Sequence, residues 1–161
     1  MSGPRPNGPS SEESRRARSA ARLYAVQALY QMEAAGQPLD KVRVEFESYR
    51  FGQEVAGEEL AEGDLDLFRG TLEDAVNWQA RIDQMTDRAL VAKWPIDRID
   101  PVLRALFRAA GAELVDAKTP PKVVITEFVE VARAFFPEGR EPRFVNAVLD
   151  HMAREAQPEA F

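Results

Sequence analysis

The chain has 161 residues, 45% hydrophobic and 30% charged, a globular composition long enough to bury about 68–70% of the unfolded surface, so neither disulfides nor metal staples are needed for folding. It contains no Cys, which excludes thiolate nucleophiles and sulfur-ligated zinc, and a single His, His151, which excludes a multi-histidine metal site or an H-E-x-x-H motif. The net charge of -6 hides an asymmetry: residues 1–22 hold Arg5, Arg15, Arg16, Arg18 and Arg22 against Glu12 and Glu13, or +3, so the other 139 residues carry -9.

Residues 1–13 are rich in Gly, Pro, Ser and Asn and predict a flexible leader, since they offer almost nothing apolar to offset the entropy of ordering. No secretory h-region or run of about 18 apolar residues follows, so the expected compartment is the cytoplasm, with no membrane contact. From Ser14 to Ala35, Leu23, Ala25, Val26, Leu29 and Tyr30 recur at helical spacing up to Gly36-Gln37-Pro38 and predict a long amphipathic helix. A shorter helix is expected over Leu39–Phe51, then an acidic loop from Gly52 to Gly63. The apolar pattern from Asp64 to Trp94-Pro95 fits one broken helix or two joined ones.

Asp100 and Pro101 supply an N-cap and a first-turn proline for a helix burying Val102, Leu103, Leu106, Phe107 and Ala110. Thr119-Pro120-Pro121 starts the next, with Val124, Ile125, Phe128, Val131 and Phe135 inward, ending at Phe136-Pro137-Glu138-Gly139. The last, Glu141 to about Arg154, buries Phe144, Val145, Val148, Leu149 and Met152, and residues 157–161 form a tail. No alternating run bounded by turn signals occurs, so the chain is predicted to be all-α, with six or seven helices in one domain over residues 14–156.

The scattered glycines form neither a G-x-G-x-x-G nor a Walker pattern. Eleven acids stand against four bases between residues 40 and 74, but no spacing marks an acid–base pair, and a solvated acidic face is expected. His151, beside Asp150, has no nucleophile near it in sequence. The arginines of the first helix say more. At 100° per residue Arg15, Arg18 and Arg22 lie within about 60° of one another, with Arg16 at the flank, and Val26 and Leu29 continue the same side. Guanidiniums cannot enter an apolar core unpaired, so the first two turns are expected to overhang the body and display a cationic row. Such a row suits phosphate and single-stranded RNA, and Arg140 and Arg143, flanking Pro142, could extend it.

The opening SRRARSAARLYAVQALYQME resembles that of the NusB family of bacterial transcription antitermination factors, and DLDLFRGTLEDAV, DRIDPVLRALFRAAGAEL with PPKVVITEFVEVARAF, and RFVNAVLDHMARE follow in the family's order. The resemblance spans about residues 14–155. It implies two small helical bundles set against each other, no enzyme activity and no cofactor. The function it implies is binding of boxA RNA with the ribosomal small-subunit protein NusE, in the complex that keeps RNA polymerase from terminating, notably at ribosomal RNA operons. Its RNA-contacting positions fall on Arg15, Arg16, Arg18 and Arg22, with Lys122, Arg143, Phe144 and Asn146 near or supporting the RNA side. Its partner-facing positions fall on Gln27 and Tyr30, beside Leu103 and Arg104. Tyr30 could equally be a core aromatic with its hydroxyl at the edge, and the free chain could be a monomer or a homodimer.

Two departures from the family pattern stand out. Ser19 and Ala20 occupy positions that are commonly basic, which predicts weak RNA affinity for the isolated chain, and Leu103 occupies one that is often acidic, where it would cover apolar surface at a rim. RNA cytosine methyltransferases carry a domain of this kind, but their Cys nucleophile and glycine-rich cofactor loop are missing from this sequence. The other alternative is a protein-binding helical module with a vestigial RNA arm.

Overall fold

The computed structural model describes residues 11–51, 62–91 and 96–161, which form seven α-helices and no strand. Helix α1, Ser11–Ala35, starts with Glu12 and Glu13 in its first turn, where carboxylates complement the helix dipole. Ser11–Glu13 are therefore helical, although the predicted leader included them; residues 1–10 lie outside the described ones. Gly36 ends α1 at φ +63°, the left-handed conformation that a helix C-terminus commonly assigns to glycine.

Helix α2, Leu39–Phe46, passes into a π-helical turn, Glu47–Phe51, where a regular helix was expected throughout. An i→i+5 ladder brings residues five apart toward one side, and Phe46 and Phe51 both meet Phe68, with ring centroids 5.9 and 4.8 Å away. The predicted acidic loop lies mostly at 52–61, outside the described residues. Two joined helices then follow: α3, Glu62–Asn77, and α4, Gln79–Ala89, which meet at Trp78.

Helix α5, Pro101–Asp116, is capped as its sequence predicts, Val102 N donating to Asp100 Oδ1 at 2.7 Å. Helices α6, Pro121–Phe135, and α7, Glu141–Ala156, complete the set. The last residues fold back rather than trail away. Gln157 Nε2 donates to Leu114 O at 2.9 Å, and the Arg154 guanidinium lies 4.5 Å from the centre of the Phe161 ring.

Helices α1–α3 make one bundle and α4–α7 the other, with α5 shared, packed on α1, α3, α4, α6 and α7. Fully buried Val26, Phe68, Leu72, Leu106, Phe107, Phe128, Leu149 and Met152 span both, each stabilising the fold by about 1.5–3 kcal/mol. The core is thus continuous between the bundles.

Candidate functional site

Ion pairs joining Arg22 to Glu113 and Glu33 to Arg104 make α1 and α5 antiparallel. Beyond Arg22, α1 continues for eleven more residues toward its N-terminus, about 16 Å at 1.5 Å per residue, whereas α5 stops three residues past Glu113. Arg15 and Arg18 occupy the arc of α1 that farther along buries Arg22, Val26 and Leu29, but they are exposed, lying past the end of α5. Arg16 is exposed on the flank, and Ala17, nearly opposite Arg15, still packs against the protein. The first turns of α1 thus pass the end of α5 as expected, but only the arginine side is displayed, since Ala17 on the other side stays buried.

Arg22 is not part of it. Only 3% exposed, it donates from Nε and Nη2 to Glu113 Oε2 and Oε1 at 2.8 and 3.1 Å, while Nη1 lies 3.8 Å from Glu127 Oε1. The row expected to hold four guanidiniums therefore displays three. The premise that a guanidinium cannot enter the core holds only without a carboxylate to meet it. One turn earlier, Ser19 Oγ donates to Glu127 Oε2 at 2.9 Å and ties α1 to α6.

Lys122 is exposed in the first turn of α6, five residues, or about 7.5 Å of helix, before Glu127. Arg143, Phe144 and Asn146 are exposed at the start of α7, which packs on α4, α5 and α6. Phe144, predicted to be buried, is 38% exposed, its inner edge resting on Phe107 with centroids 6.2 Å apart. The cationic row thus lies on α1, while the start of α7 exposes Arg143 beside Phe144 and Asn146, with Glu141 in the same turn.

The partner-facing residues separate differently. Tyr30 is 40% exposed and therefore no core aromatic. It lines a mostly apolar groove of about 510 Å³ with Gln27, Gln31, Ala34, Ala35, Phe46, Val102 and Phe135. Leu103, assigned above to the partner surface, is 7% exposed and belongs to the core, because the groove is reached from the neighbouring Val102 instead. Arg104 Nε and Nη2 both donate to Glu33 at 2.6 Å, and Arg108 bridges Glu33 to Asp83. These guanidiniums hold the Glu33 carboxyl below its ordinary pKa, chiefly through the Arg104 hydrogen bond. Arg104 thus braces the groove end of α1 against α5. Val102, Phe46 and Phe135 carry no local signal of this role, since three separate elements bring them together.

Among the described residues the acidic face shows no paired acid and base aimed at a common site. Asp66, Asp74 and Asp116 line a shallow depression with Lys118, and burial, then Asp116, raises the pKa of Asp74. His151 is exposed on α7. Among the described residues no cluster of His, Cys, Asp or Glu could hold a metal, and no helix is long and apolar enough to cross a membrane.

Comparison with known proteins agrees with this architecture. The NusB family model matches residues 19–154. The transcription antitermination protein NusB of Maricaulis maris is 46% identical over 94% of each chain, and that of Agrobacterium fabrum 45% identical over 89% of this chain and 87% of its own. Among solved structures, Thermotoga maritima NusB superposes with a TM-score of 0.71 at 28% identity, covering 89% of this chain and 96% of its own. A NusB solved with NusE and double-stranded RNA gives 0.71 at 23% identity, covering 87% and 98%, and shows a common fold. The family is one of transcription antitermination factors and not of enzymes. A match running from Ser19, in the first helix, to Arg154, in the last, places the chain in the NusB family.

Proposed function

We propose that this NusB-family chain acts in antitermination by holding the boxA segment of nascent RNA as a single strand on Arg15, Arg16 and Arg18, while a NusE-type protein occupies the groove beside Tyr30. Its setting is the RNA polymerase antitermination complex, notably at ribosomal RNA operons. The observation that carries the RNA reading is the α1 overhang, three exposed arginines reaching past the end of α5 on a chain that is acidic overall. Guanidinium forks match phosphate geometry, and a basic track combined with aromatic platforms holds single strands. Arg143, Asn146 and the exposed Phe144 ring on α7, and the exposed Lys122 on α6, are candidates for further contacts to the strand. The partner reading is supported by the exposed Tyr30 on an apolar groove, and by the relative that was solved with NusE and double-stranded RNA.

The test is a fluorescence-anisotropy titration of a boxA single strand with the unaltered chain and with the variant in which Arg15, Arg16 and Arg18 are all Ala. Loss of binding at an unchanged melting temperature is expected. Undiminished binding by the triple variant would leave the chain a protein-binding module with a vestigial arm, and tighter binding of the corresponding duplex would shift the reading to double-stranded RNA.

A further inference from the structure

An overhanging helix end has little packing to hold it. Glu12 and Glu13 complement the macrodipole in the first turn of α1, but a terminus with few tertiary contacts still frays, and a frayed row must be ordered again each time it meets RNA, which lowers affinity. In this chain Ser19, the residue after Arg18, donates to Glu127 Oε2 at 2.9 Å across to α6, and the other oxygen of the same carboxylate faces Arg22 Nη1 at 3.8 Å. Glu127 is 18% exposed, against 5% for Glu113. It therefore sits at the edge of the buried pair, where the overhang begins. Ser19 lies one helical turn from both Arg15 and Arg22, so fixing Ser19 fixes the base of the row.

We propose that Glu127 is a positioning residue for RNA binding, holding the arginine-bearing turns of α1 in helical register through Ser19; this rests on the RNA reading above. Its two effects on RNA have opposite signs. The hydrogen bond orders the row and favours binding, whereas the negative charge beside the row repels phosphate and opposes it. Two substitutions separate them. Glu127→Gln removes the charge and keeps an oxygen to accept from Ser19; Glu127→Ala removes both. If only charge mattered, both variants would bind RNA more tightly than the unaltered chain. If Glu127 positions the row, Glu127→Gln binds at least as tightly, while Glu127→Ala binds about three- to tenfold more weakly despite losing the same charge.

Amide hydrogen exchange supplies a readout independent of RNA. In Glu127→Ala, and in Ser19→Ala, which removes only the donor, protection of residues 15–21 should fall, while residues 25–35 of the same helix stay as protected as before. Glu127→Gln should exchange like the unaltered chain. The positioning role is overturned if Glu127→Ala binds as well as Glu127→Gln, or if exchange at 15–21 is the same in all variants. Should Glu127→Ala fail to fold, Ser19→Ala carries the same two measurements. Absence of RNA binding by the unaltered chain overturns the RNA reading and this role together, whereas intact binding that ignores the clamp overturns this role alone.

Discussion

Arg18 and Arg22 are one helical turn apart on the same side of α1, yet one faces solvent and the other is buried on Glu113. Spacing correctly places both on the core-facing stripe, and the error in reading four displayed arginines lies in treating the stripe's charges one at a time. Glu113 stands on the buried stripe of α5 next to Leu114, so an acid and a base each occupy an apolar face; that coincidence was visible in the sequence, but their pairing across 91 residues was not. The two positions should answer differently to truncation. Arg22→Ala leaves Glu113 charged and unpaired in the interior, which costs about 3–5 kcal/mol, whereas Arg18→Ala should stay within about 0.5 kcal/mol, as at most surface sites. Urea unfolding distinguishes them, and equal stability of the two variants would contradict the buried pair. Weakened RNA binding by Arg22→Ala would then report a damaged anchor rather than a lost phosphate contact.

Helix boundaries set by local chemistry were legible. Asp100-Pro101 and Pro120-Pro121 start α5 and α6 where proline and capping rules put them. The π-helical turn after α2 was not, because it answers to Phe68 on another helix. Nor was the groove, whose walls come from α1, α2, α5 and α6. Gly111 shows how packing between elements reverses a local preference. Within an isolated helix, replacing Gly by Ala would stabilise by about 0.5–1 kcal/mol. In α5 the added Cβ would lie 2.4 Å from Ile82 Cγ2 and 3.3–3.4 Å from Cγ1 and Cβ on α4, so the stiff base of a fully buried side chain would have to shift. Overpacking of this kind costs about 1–3 kcal/mol, so Gly111→Ala should lower stability on balance, as measured by its urea midpoint, while leaving RNA affinity unchanged at temperatures where it is folded. A higher midpoint would mean that α4 and α5 are less closely apposed than described.

At the scale of the whole molecule, the net charge of -6 repels a polyanion, and binding depends on where the few uncompensated cations stand. A row of three arginines neutralises about three phosphates. On a single strand each contributes a log-log salt slope of about -0.7, so the chain alone should show a slope near -2 if α1 provides the whole contact. A partner seated in the Tyr30 groove would add its own cations at the other end of α1, Tyr30 lying twelve residues, or about 18 Å along the helix, from Arg18. RNA spanning both surfaces gains through effective concentration, with no change needed in the arginine row. A NusE-type partner should therefore tighten RNA binding and steepen the slope by about 0.7 for each further phosphate it neutralises. Tyr30→Asp, a change at an exposed wall of the groove, should abolish that increment while the chain's own slope and melting temperature stay near those of the unaltered protein. Partner-dependent steepening that survives in Tyr30→Asp would place the partner elsewhere on the molecule, and a slope near -2 with or without the partner would mean that its cations never reach the RNA.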